Sequence, residues 1–398
     1  MLLYQMQNFD KPIDRSNTNA EKYTKRQELF GTDNVLPMWV ADMDLPSPPF
    51  VLEAIQKRLN HPIFGYEEMP NSAFEAQINW INDHYGIKIE REMMLYSPSV
   101  VTSINMAIEA FSEIGDEIVI QPPIYQPFYS SILFHKRKAI LNPLKIKNGQ
   151  YQMDFEDLEA RITAKTKMLL LCSPHNPVGR VWSKEELEKL LTIANRHNII
   201  IVSDEIHSDL VFRPHTPLYK LSDKIITLQG VGKSFNLSGL AISTIIIPDP
   251  KIKKHFLATY RRYHLGEGNI LSHTAFEVAY HEGKEWVEEL KQYIQTNFKL
   301  LENLANQYPN QIRFTPPQAT YLAWIDFRQM QLDDKSLHQG LIEYGLGLSQ
   351  GISFKKGGSG FMRMNCAVPH SVMQEATKKL EAFITKPHSS NSIASHTH

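Results

Sequence analysis

A lysine, a carboxylate and an amide each follow an apolar run in the middle of the chain. Lys233 follows IITLQGVG, Asp204 follows IIIVS, and Asn176 follows KMLLLCSPH. Burial beside apolar strands disfavours the ammonium form, so a lysine in this position has a lowered pKa and can attack an aldehyde as a free amine. These residue types therefore indicate a covalent site for an aldehyde cofactor.

Pyridoxal phosphate is the aldehyde cofactor that suits these residues. It would form a Schiff base with Lys233, and Asp204 would keep its ring nitrogen protonated so that the ring can accept electrons. Asn176 could donate a hydrogen bond to the phenolic oxygen of the ring. Tyr125, in QPPIYQPF, could stack on the ring face.

Further residues are expected around the same cofactor. The start of the VVTSINMAIEAF segment, with Val101 and Thr102, could hold the phosphate at a helix N-terminus. Ser234 is also predicted to bind the cofactor. Arg363, in FMRMNCA, could clamp a substrate carboxylate with its planar guanidinium, together with Asn176. His207 could either reach the cofactor or be a core histidine. Taken singly, each of these residues also has an ordinary structural explanation, and only their joint arrangement favours the cofactor.

The segment LQGVGKS at 228–234 also resembles the end of a P-loop. The full pattern requires a glycine where Thr227 stands, and a helix must follow the lysine to present amides to phosphate. Here a Gly-interrupted loop leads instead into the strand-like AISTIII. A nucleotide hydrolase is therefore disfavoured.

The elements that must position these residues form an α/β pattern. Short apolar runs alternate with helical patterns: EIVIQ, KAILN, KMLLLCS, NIIIVSDE, IITLQG and AISTIII. Runs that are apolar at nearly every position predict strands buried on both faces, in a mainly parallel sheet covered by helices. Ser183 and Glu186 form a capping-box pattern that predicts the start of a crossover helix. Ligands of such sheets bind beyond the carboxyl ends of the strands, where these loops could converge.

The length of 398 residues predicts two structural domains. We expect a large cofactor-binding domain over 49–284 and a smaller α+β domain over 285–387. The segment 1–48 is expected to pack on the small domain or on a dimer partner. The polar tail 388–398 is expected to be disordered.

Composition narrows the class of protein. The net charge of -1 gives no general attraction to nucleic acid or anionic membranes. Cys172 and Cys366 stand far apart in apolar contexts, so neither a disulfide framework nor a metal site is predicted. The N-terminus lacks the pattern of a signal peptide and no run is long enough to span a membrane, which predicts a cytoplasmic protein.

The order of Tyr125, SPHNPVGRVW, SDEIHSDL, GKSFNLSGL and FMRMNCAVP resembles the fold-type I pyridoxal phosphate enzymes of the aspartate aminotransferase superfamily. The stretches LPMWVADMDLPSPP, IFGYEE, DEIHSDL and GGSGFMRMNCAVP resemble, within it, the cystathionine β-lyase and C–S lyase group, also called the MalY/PatB group. The resemblance implies a covalent link at Lys233, with Asp204, Asn176 and Tyr125 around the ring. It also implies a homodimer in which Tyr66 reaches the active site of the facing subunit and takes part in catalysis.

The sequence departs from this family at three places. Gly232 stands where members usually have a serine, and Ala241 stands where transaminases commonly carry an arginine for the phosphate. Lys355 and Lys356 replace a smaller loop. These changes bear on cofactor affinity and on the range of substrates.

The resemblance implies β-elimination from S-substituted cysteines such as cystathionine, giving a thiol, pyruvate and ammonia. An aminotransferase would use the same residues, because both reactions begin with the same proton removal. A regulatory protein that keeps the cofactor fold is a third alternative.

Overall fold

The computed structural model describes residues 8–265 and 268–386, so the predicted tail 388–398 lies outside the described residues. Its strands form a seven-stranded sheet, a three-stranded sheet and two short pairs. In chain order the strands are β1 (Leu36–Pro37), β2 (Met94–Ser97), β3 (Glu117–Ile120), β4 (Lys138–Leu141), β5 (Lys145–Lys147), β6 (Gln150–Gln152), β7 (Thr166–Cys172), β8 (Ile200–Asp204), β9 (Ile225–Gln229), β10 (Ser243–Ile246), β11 (Leu322–Asp326), β12 (Leu346–Gly347), β13 (Ser349–Gln350) and β14 (Phe361–Asn365).

Helices surround these sheets. In chain order the α-helices are α1 (Glu21–Thr24), α2 (Arg26–Phe30), α3 (Pro49–Leu59), α4 (Asn71–Tyr85), α5 (Val100–Phe111), α6 (Gln126–Phe134), α7 (Phe155–Arg161), α8 (Lys184–Arg196), α9 (Val231–Ser234), α10 (Pro250–Arg262), α11 (Ile270–Glu282), α12 (Lys284–Gln307), α13 (Asp334–Glu343) and α14 (His370–Thr385). Helix α11 packs against α3 and α4, and α5 packs against α6 and α10. Within the described ranges, no helix combines the length and apolar character needed to cross a membrane.

The large sheet has the strand order β2-β10-β9-β8-β7-β3-β4. Strands β9, β8, β7, β3 and β4 run parallel, whereas β10 is antiparallel to both of its neighbours, β9 and β2. The predicted α/β class is confirmed, and each of the six strands that the sequence predicted in this region is present. Strand β2, with the sequence MLYS, was not predicted, because it contains no β-branched residue and so lacks the run that marks the other strands.

Burial on both faces explains why these strands are apolar at successive positions. In β7, Leu169 and Leu171 pack into one hydrophobic cluster, while Met168 and Leu170 pack into another on the opposite side of the sheet. Strand side chains alternate between faces, so a sheet that is covered by helices on both sides needs apolar residues at odd and even positions alike.

The crossover helix α8 begins as the sequence predicted. The Ser183 hydroxyl accepts a hydrogen bond from the Glu186 amide, and the Glu186 carboxylate accepts one from the Ser183 amide. This capping box satisfies two amides that the first helical turn leaves without partners. Helix α8 connects the parallel strands β7 and β8, which places the ends of both strands at one edge of the sheet.

The C-terminal part contains the three-stranded sheet β11-β14-β13 and the long helices α12 and α14. The N-terminal segment reaches this part, because β1 pairs in parallel with β12. Asn365, at the end of β14, holds the same segment by donating to the carbonyls of Val40 and Asp42 at 2.9 and 2.7 Å. The residues near Ala41 are thereby fixed beside the carboxyl edge of the large sheet.

Candidate active site

A cavity of about 740 Å³ lies at the carboxyl edge of the large sheet. It is bordered by residues that follow β7, β8 and β9, by the start of α5, by the N-terminal segment and by β14. Of the residues predicted from the sequence, those that border it are Val101, Tyr125, Asn176, Asp204, His207, Lys233 and Arg363. The structure therefore brings together side chains that lie up to 262 positions apart in the chain, from Val101 to Arg363.

Lys233 lies in the single-turn helix α9, directly after β9. Its Nζ donates a hydrogen bond to the carbonyl of Ala41 at 2.6 Å. Burial lowers the pKa of Lys233 to about 8, and the nearby carboxylate of Asp42 only partly opposes this shift. About a tenth of the amine is consequently uncharged at pH 7 and about half at pH 8, so a neutral fraction is available to act as a nucleophile or general base.

Asp204 ends β8 and is 6% exposed. Burial raises the pKa of its carboxyl to about 7, although a hydrogen bond from the amide of Ile206 at 3.1 Å and the charge of Lys233 act in the opposite direction. A cation placed against this carboxylate would restore its ionised form, because opposite charges favour ionisation. The site is thus electrostatically suited to a protonated nitrogen heterocycle.

Arg363 projects from β14 and is 5% exposed. Its guanidinium donates to Oδ1 of Asn176 at 3.0 Å and to the carbonyl of Trp39 at 2.9 Å, and its plane lies 4.8 Å from the ring centroid of Phe354. Burial lowers the pKa of Arg363 to about 10. Its Nε is buried and has no hydrogen-bond partner among residues 8–265 and 268–386, so the guanidinium has donor capacity left for a carboxylate.

The N-terminus of α5 forms another side of the cavity. The Ser99 hydroxyl caps the helix by accepting from the Thr102 amide at 3.1 Å, and the Thr102 hydroxyl lies 2.9 Å from the Ser99 hydroxyl. Val101 borders the cavity, whereas Thr102 does not. The first-turn amides near Val101 remain the part of this helix that suits a phosphate.

His207 borders the cavity and is 3% exposed. Burial lowers the pKa of His207 to about 3, and the positive charges of Lys233 and Arg363 contribute to the same shift. The ring is therefore neutral at physiological pH. Its Nδ1 is buried, and no described part of the chain provides it with a hydrogen-bond partner. A ligand in the cavity could supply that partner, which favours the alternative that His207 reaches the cofactor.

Ser234 and Tyr66 lie away from the cavity of their own chain. The Ser234 hydroxyl, in the same helix α9 as Lys233, donates to the carboxylate of Asp209 at 2.7 Å. Tyr66 is fully exposed on the segment between α3 and α4. The structure therefore gives Ser234 a supporting contact, and it leaves Tyr66 available on the surface.

Two serines near Lys233 border the cavity, although neither belongs to a sequence pattern that would select it. Ser238 and Ser243 both line it, and a side chain at Gly232 would begin 3.2 Å from the Ser238 hydroxyl oxygen. Ser238 thus brings a hydroxyl close to the position where Gly232 lacks one. Ala241, at a φ of 53°, contributes no charge there.

The N-terminal segment supplies contacts that sequence reasoning did not assign. Trp39 and Ala41 border the cavity, and their carbonyls accept from Arg363 and Lys233. The stretch LPMWVADMDLPSPP signalled that this segment matters, but backbone carbonyls carry no residue-type signature. Phe354 and Ser349 complete the wall beside Arg363.

The chain belongs to the family described as aminotransferase class I and II, whose model matches residues 34–380. It is 40% identical over 386 residues to cystathionine beta-lyase PatB of Bacillus subtilis, covering 95% of this chain and 100% of that protein.

Two solved structures share the fold over nearly all of the chain. Cystalysin from Treponema denticola, which contains pyridoxal 5'-phosphate, has a TM-score of 0.92 and 32% identity, covering 95% of this chain and 99% of that one. The pyridoxal-phosphate-bound C–S lyase from Staphylococcus hominis has a TM-score of 0.89 and 32% identity, covering 96% and 99%. These similarities confirm the predicted superfamily and fold.

Proposed function

We propose that this protein is a pyridoxal-phosphate-dependent C–S lyase that cleaves S-substituted cysteines, such as cystathionine, into a thiol, pyruvate and ammonia. The observation that carries this proposal is the enclosure of Lys233, Asp204 and Arg363 around one cavity, each with a pKa displaced by burial. The relatives named as C–S and cystathionine lyases support the choice of reaction.

The residues of the cavity fit pyridoxal phosphate. Lys233 would hold its aldehyde carbon, Asp204 its ring nitrogen, Asn176 its phenolic oxygen and Tyr125 its ring face, while the start of α5 and Ser238 would hold its phosphate. The unpartnered Nδ1 of His207 and the under-compensated carboxylate of Asp204 are the features that a bound ring would satisfy. When bound, the cofactor supplies the electron sink that makes the α-proton of an amino acid removable.

The protein's own residues then orient the substrate and move its protons. Arg363 binds the α-carboxylate with the donors that Asn176 and Trp39 leave free, which fixes the orientation of Cα. The amine of Lys233 removes the proton from Cα, since its lowered pKa keeps a neutral fraction available. The Cβ–S bond breaks with the electron pair leaving on sulfur, and water completes the release of pyruvate and ammonia.

Amino transfer is the second candidate, because the family is named for it and uses the same proton removal. The two reactions differ in what happens to the amino group. A lyase releases thiol and pyruvate together without a keto acid, whereas a transaminase consumes one keto acid for each turnover and releases no thiol. Parallel assays of thiol and pyruvate, with and without 2-oxoglutarate, separate them.

We propose further that the protein acts in the cytoplasm as a homodimer in which Tyr66 of one subunit reaches the cavity of the other. The full exposure of Tyr66 supports this arrangement, since a single chain gives the ring nothing to pack against. We also keep the division into 49–284 and 285–387, with 1–48 packed on the smaller part, as a proposal. Sedimentation together with the activity of Tyr66→Phe tests the shared site.

A further inference from the structure

A second cavity, of about 500 Å³, lies outside the catalytic one. It is bordered by the β5–β6 hairpin, by residues 178–180 and 212–213, by the loop 313–318 and by the small sheet. The two cavities share no lining residue. This volume is within the range of cavities that bind small organic molecules.

Four arginines border this cavity, and two of them are already neutralised. Arg180 donates to both carboxylate oxygens of Glu186 at 2.9 Å, and Arg328 is paired with Asp326 at 2.7 Å. Arg213 and Arg313 are exposed, and across residues 8–265 and 268–386 neither side chain has a hydrogen-bond or ion-pair partner. Two guanidinium groups therefore border the cavity with their donors free.

In contrast to the charged arginines at its border, the wall of this cavity is aromatic. The rings of Trp324 and Phe361 are stacked at 5.1 Å with an interplanar angle of 6°. The indole of Trp324 donates to the Tyr151 hydroxyl at 3.0 Å, so its one donor is satisfied, and the residue is only 8% exposed. Phe212 and Val178 extend this wall.

We propose that this cavity is a second ligand site, which binds a small organic oxyanion. Arg213 and Arg313 would bind the carboxylate, sulfonate or phosphate group, since planar guanidinium forks match the geometry of oxyanions. Tyr151, Val178 and Phe212, which are partly exposed beside the buried pair Trp324 and Phe361, would bind the apolar body. The site does not depend on the catalytic reaction, because none of its residues takes part in that reaction.

The aromatic wall also reaches the catalytic cavity. Phe354 lies edge-on to Trp324 at 5.3 Å, and Arg363 lies over the face of Phe354. In addition, Trp324 is the strand partner of Arg363 in the β11–β14 pairing. A ligand against Trp324 would therefore contact the same aromatic cluster that supports the proposed substrate clamp.

The site can be tested with 8-anilino-1-naphthalenesulfonate, whose fluorescence increases on binding, and with the neutral N-phenyl-1-naphthylamine as its uncharged counterpart. Both are titrated into the enzyme saturated with pyridoxal phosphate. We expect the double variant Arg213→Ala/Arg313→Ala to weaken binding of the sulfonate by about tenfold or more, because a hydrogen bond to a charged group is lost at each arginine. Binding of the neutral compound is expected to change less than about twofold, since it has no charged group that could accept hydrogen bonds from the two arginines.

Two further variants separate this site from general charge effects. Arg261→Ala removes an exposed arginine on α10 that does not border the cavity, and it is expected to leave sulfonate binding unchanged. Arg213→Lys/Arg313→Lys keeps the charge and is expected to retain part of the affinity. The proposal is overturned if the double alanine variant binds the sulfonate as tightly as the parent does, if both compounds are weakened alike, or if Arg261→Ala has the same effect.

Discussion

The two sides of the catalytic cavity are built in different ways. On the side of the large sheet, chemistry is carried by side chains at or just beyond the carboxyl ends of buried strands, such as Asp204 at the end of β8 and Lys233 shortly after β9. On the side of the N-terminal segment, Trp39 and Ala41 contribute backbone carbonyls. Residue type determines the first kind of contact, and the path of the backbone determines the second.

This difference predicts how the two sides respond to mutation. Removing a reactive side chain on the sheet side should abolish chemistry while the fold survives. Loosening the N-terminal segment should instead change the stability of the fold and the positions of the reactive side chains, all of which are still present. The following changes test this contrast, beginning with the largest expected effect.

Replacing Lys233 with alanine removes the amine on which the proposed chemistry depends. We expect thiol release to fall by about 10³-fold or more, because a positioned general base and a covalent attachment point are lost together. The measurement is the steady-state rate with cystathionine, and far-ultraviolet circular dichroism verifies the fold. Lys233→Arg, which keeps a cation but not a neutral amine, should be similarly inactive; substantial activity in either variant would refute the role of Lys233.

Replacing Arg363 with alanine removes the proposed carboxylate clamp and leaves Asn176 without its partner. We expect kcat/KM to fall by about 10²-fold, since truncating one member of a buried charged pair costs about 2–5 kcal/mol. Most of the change should appear in KM. Arg363→Lys is the matched control, and it should recover only part of the loss because lysine lacks the planar fork. An unchanged KM in Arg363→Ala would contradict the clamp.

The lowered pKa of Lys233 predicts how the apoprotein combines with its cofactor. Only the neutral amine attacks an aldehyde, so the rate of combination should rise with pH and level off above about 8, the pKa to which burial lowers this lysine. Below that pH the rate should fall about tenfold for each unit, as the neutral fraction does. Stopped-flow absorbance from pH 6 to 10 measures it. A midpoint near the ordinary lysine value of 10.5 would contradict the assigned burial.

Replacing Asn365 with alanine tests the N-terminal side. Its amide holds the carbonyls of Val40 and Asp42, and its side chain is fully buried. We expect the free energy of unfolding to fall by about 1–3 kcal/mol, because two buried carbonyls lose their donor. Chemical denaturation measures the change, and Asn60→Ala, at an exposed position after α3, is the control. Equal stability of the two variants would show that Asn365 does not anchor the segment.

Much of the large sheet and of the sheet side of the site could be predicted from the sequence. Strands β3, β7, β8 and β9 of the large sheet are apolar at successive positions because both faces are covered, and that pattern is local. Lys233, Asp204 and Asn176 stand directly after such strands, so the edge of the sheet that they share follows from parallel topology. Arg363 follows no strand of the large sheet, so it was selected for the planar donor fork of arginine and then supported by the family resemblance.

The remaining features depend on contacts between distant parts of the chain. The direction of the Ser234 hydroxyl is set by Asp209, and the Thr102 amide is engaged by the Ser99 cap, neither of which residue type alone reveals. The antiparallel direction of β10 depends on its pairing with β2 on one side and with β9 on the other. The position of the carbonyl of Ala41 depends on Asn365, more than three hundred residues away along the chain.

The proposed function requires that the cavity containing Lys233 cleaves C–S bonds and that this lysine takes part in the reaction. The most direct test is to add cystathionine to the purified enzyme saturated with pyridoxal phosphate, and to follow cofactor absorbance, free thiol and pyruvate in the same sample without any keto acid. For a C–S lyase, we expect thiol and pyruvate to appear in equal amounts over many turnovers. A single conversion of the cofactor spectrum that produces no thiol and is reversed by a keto acid would contradict it and would identify amino transfer instead.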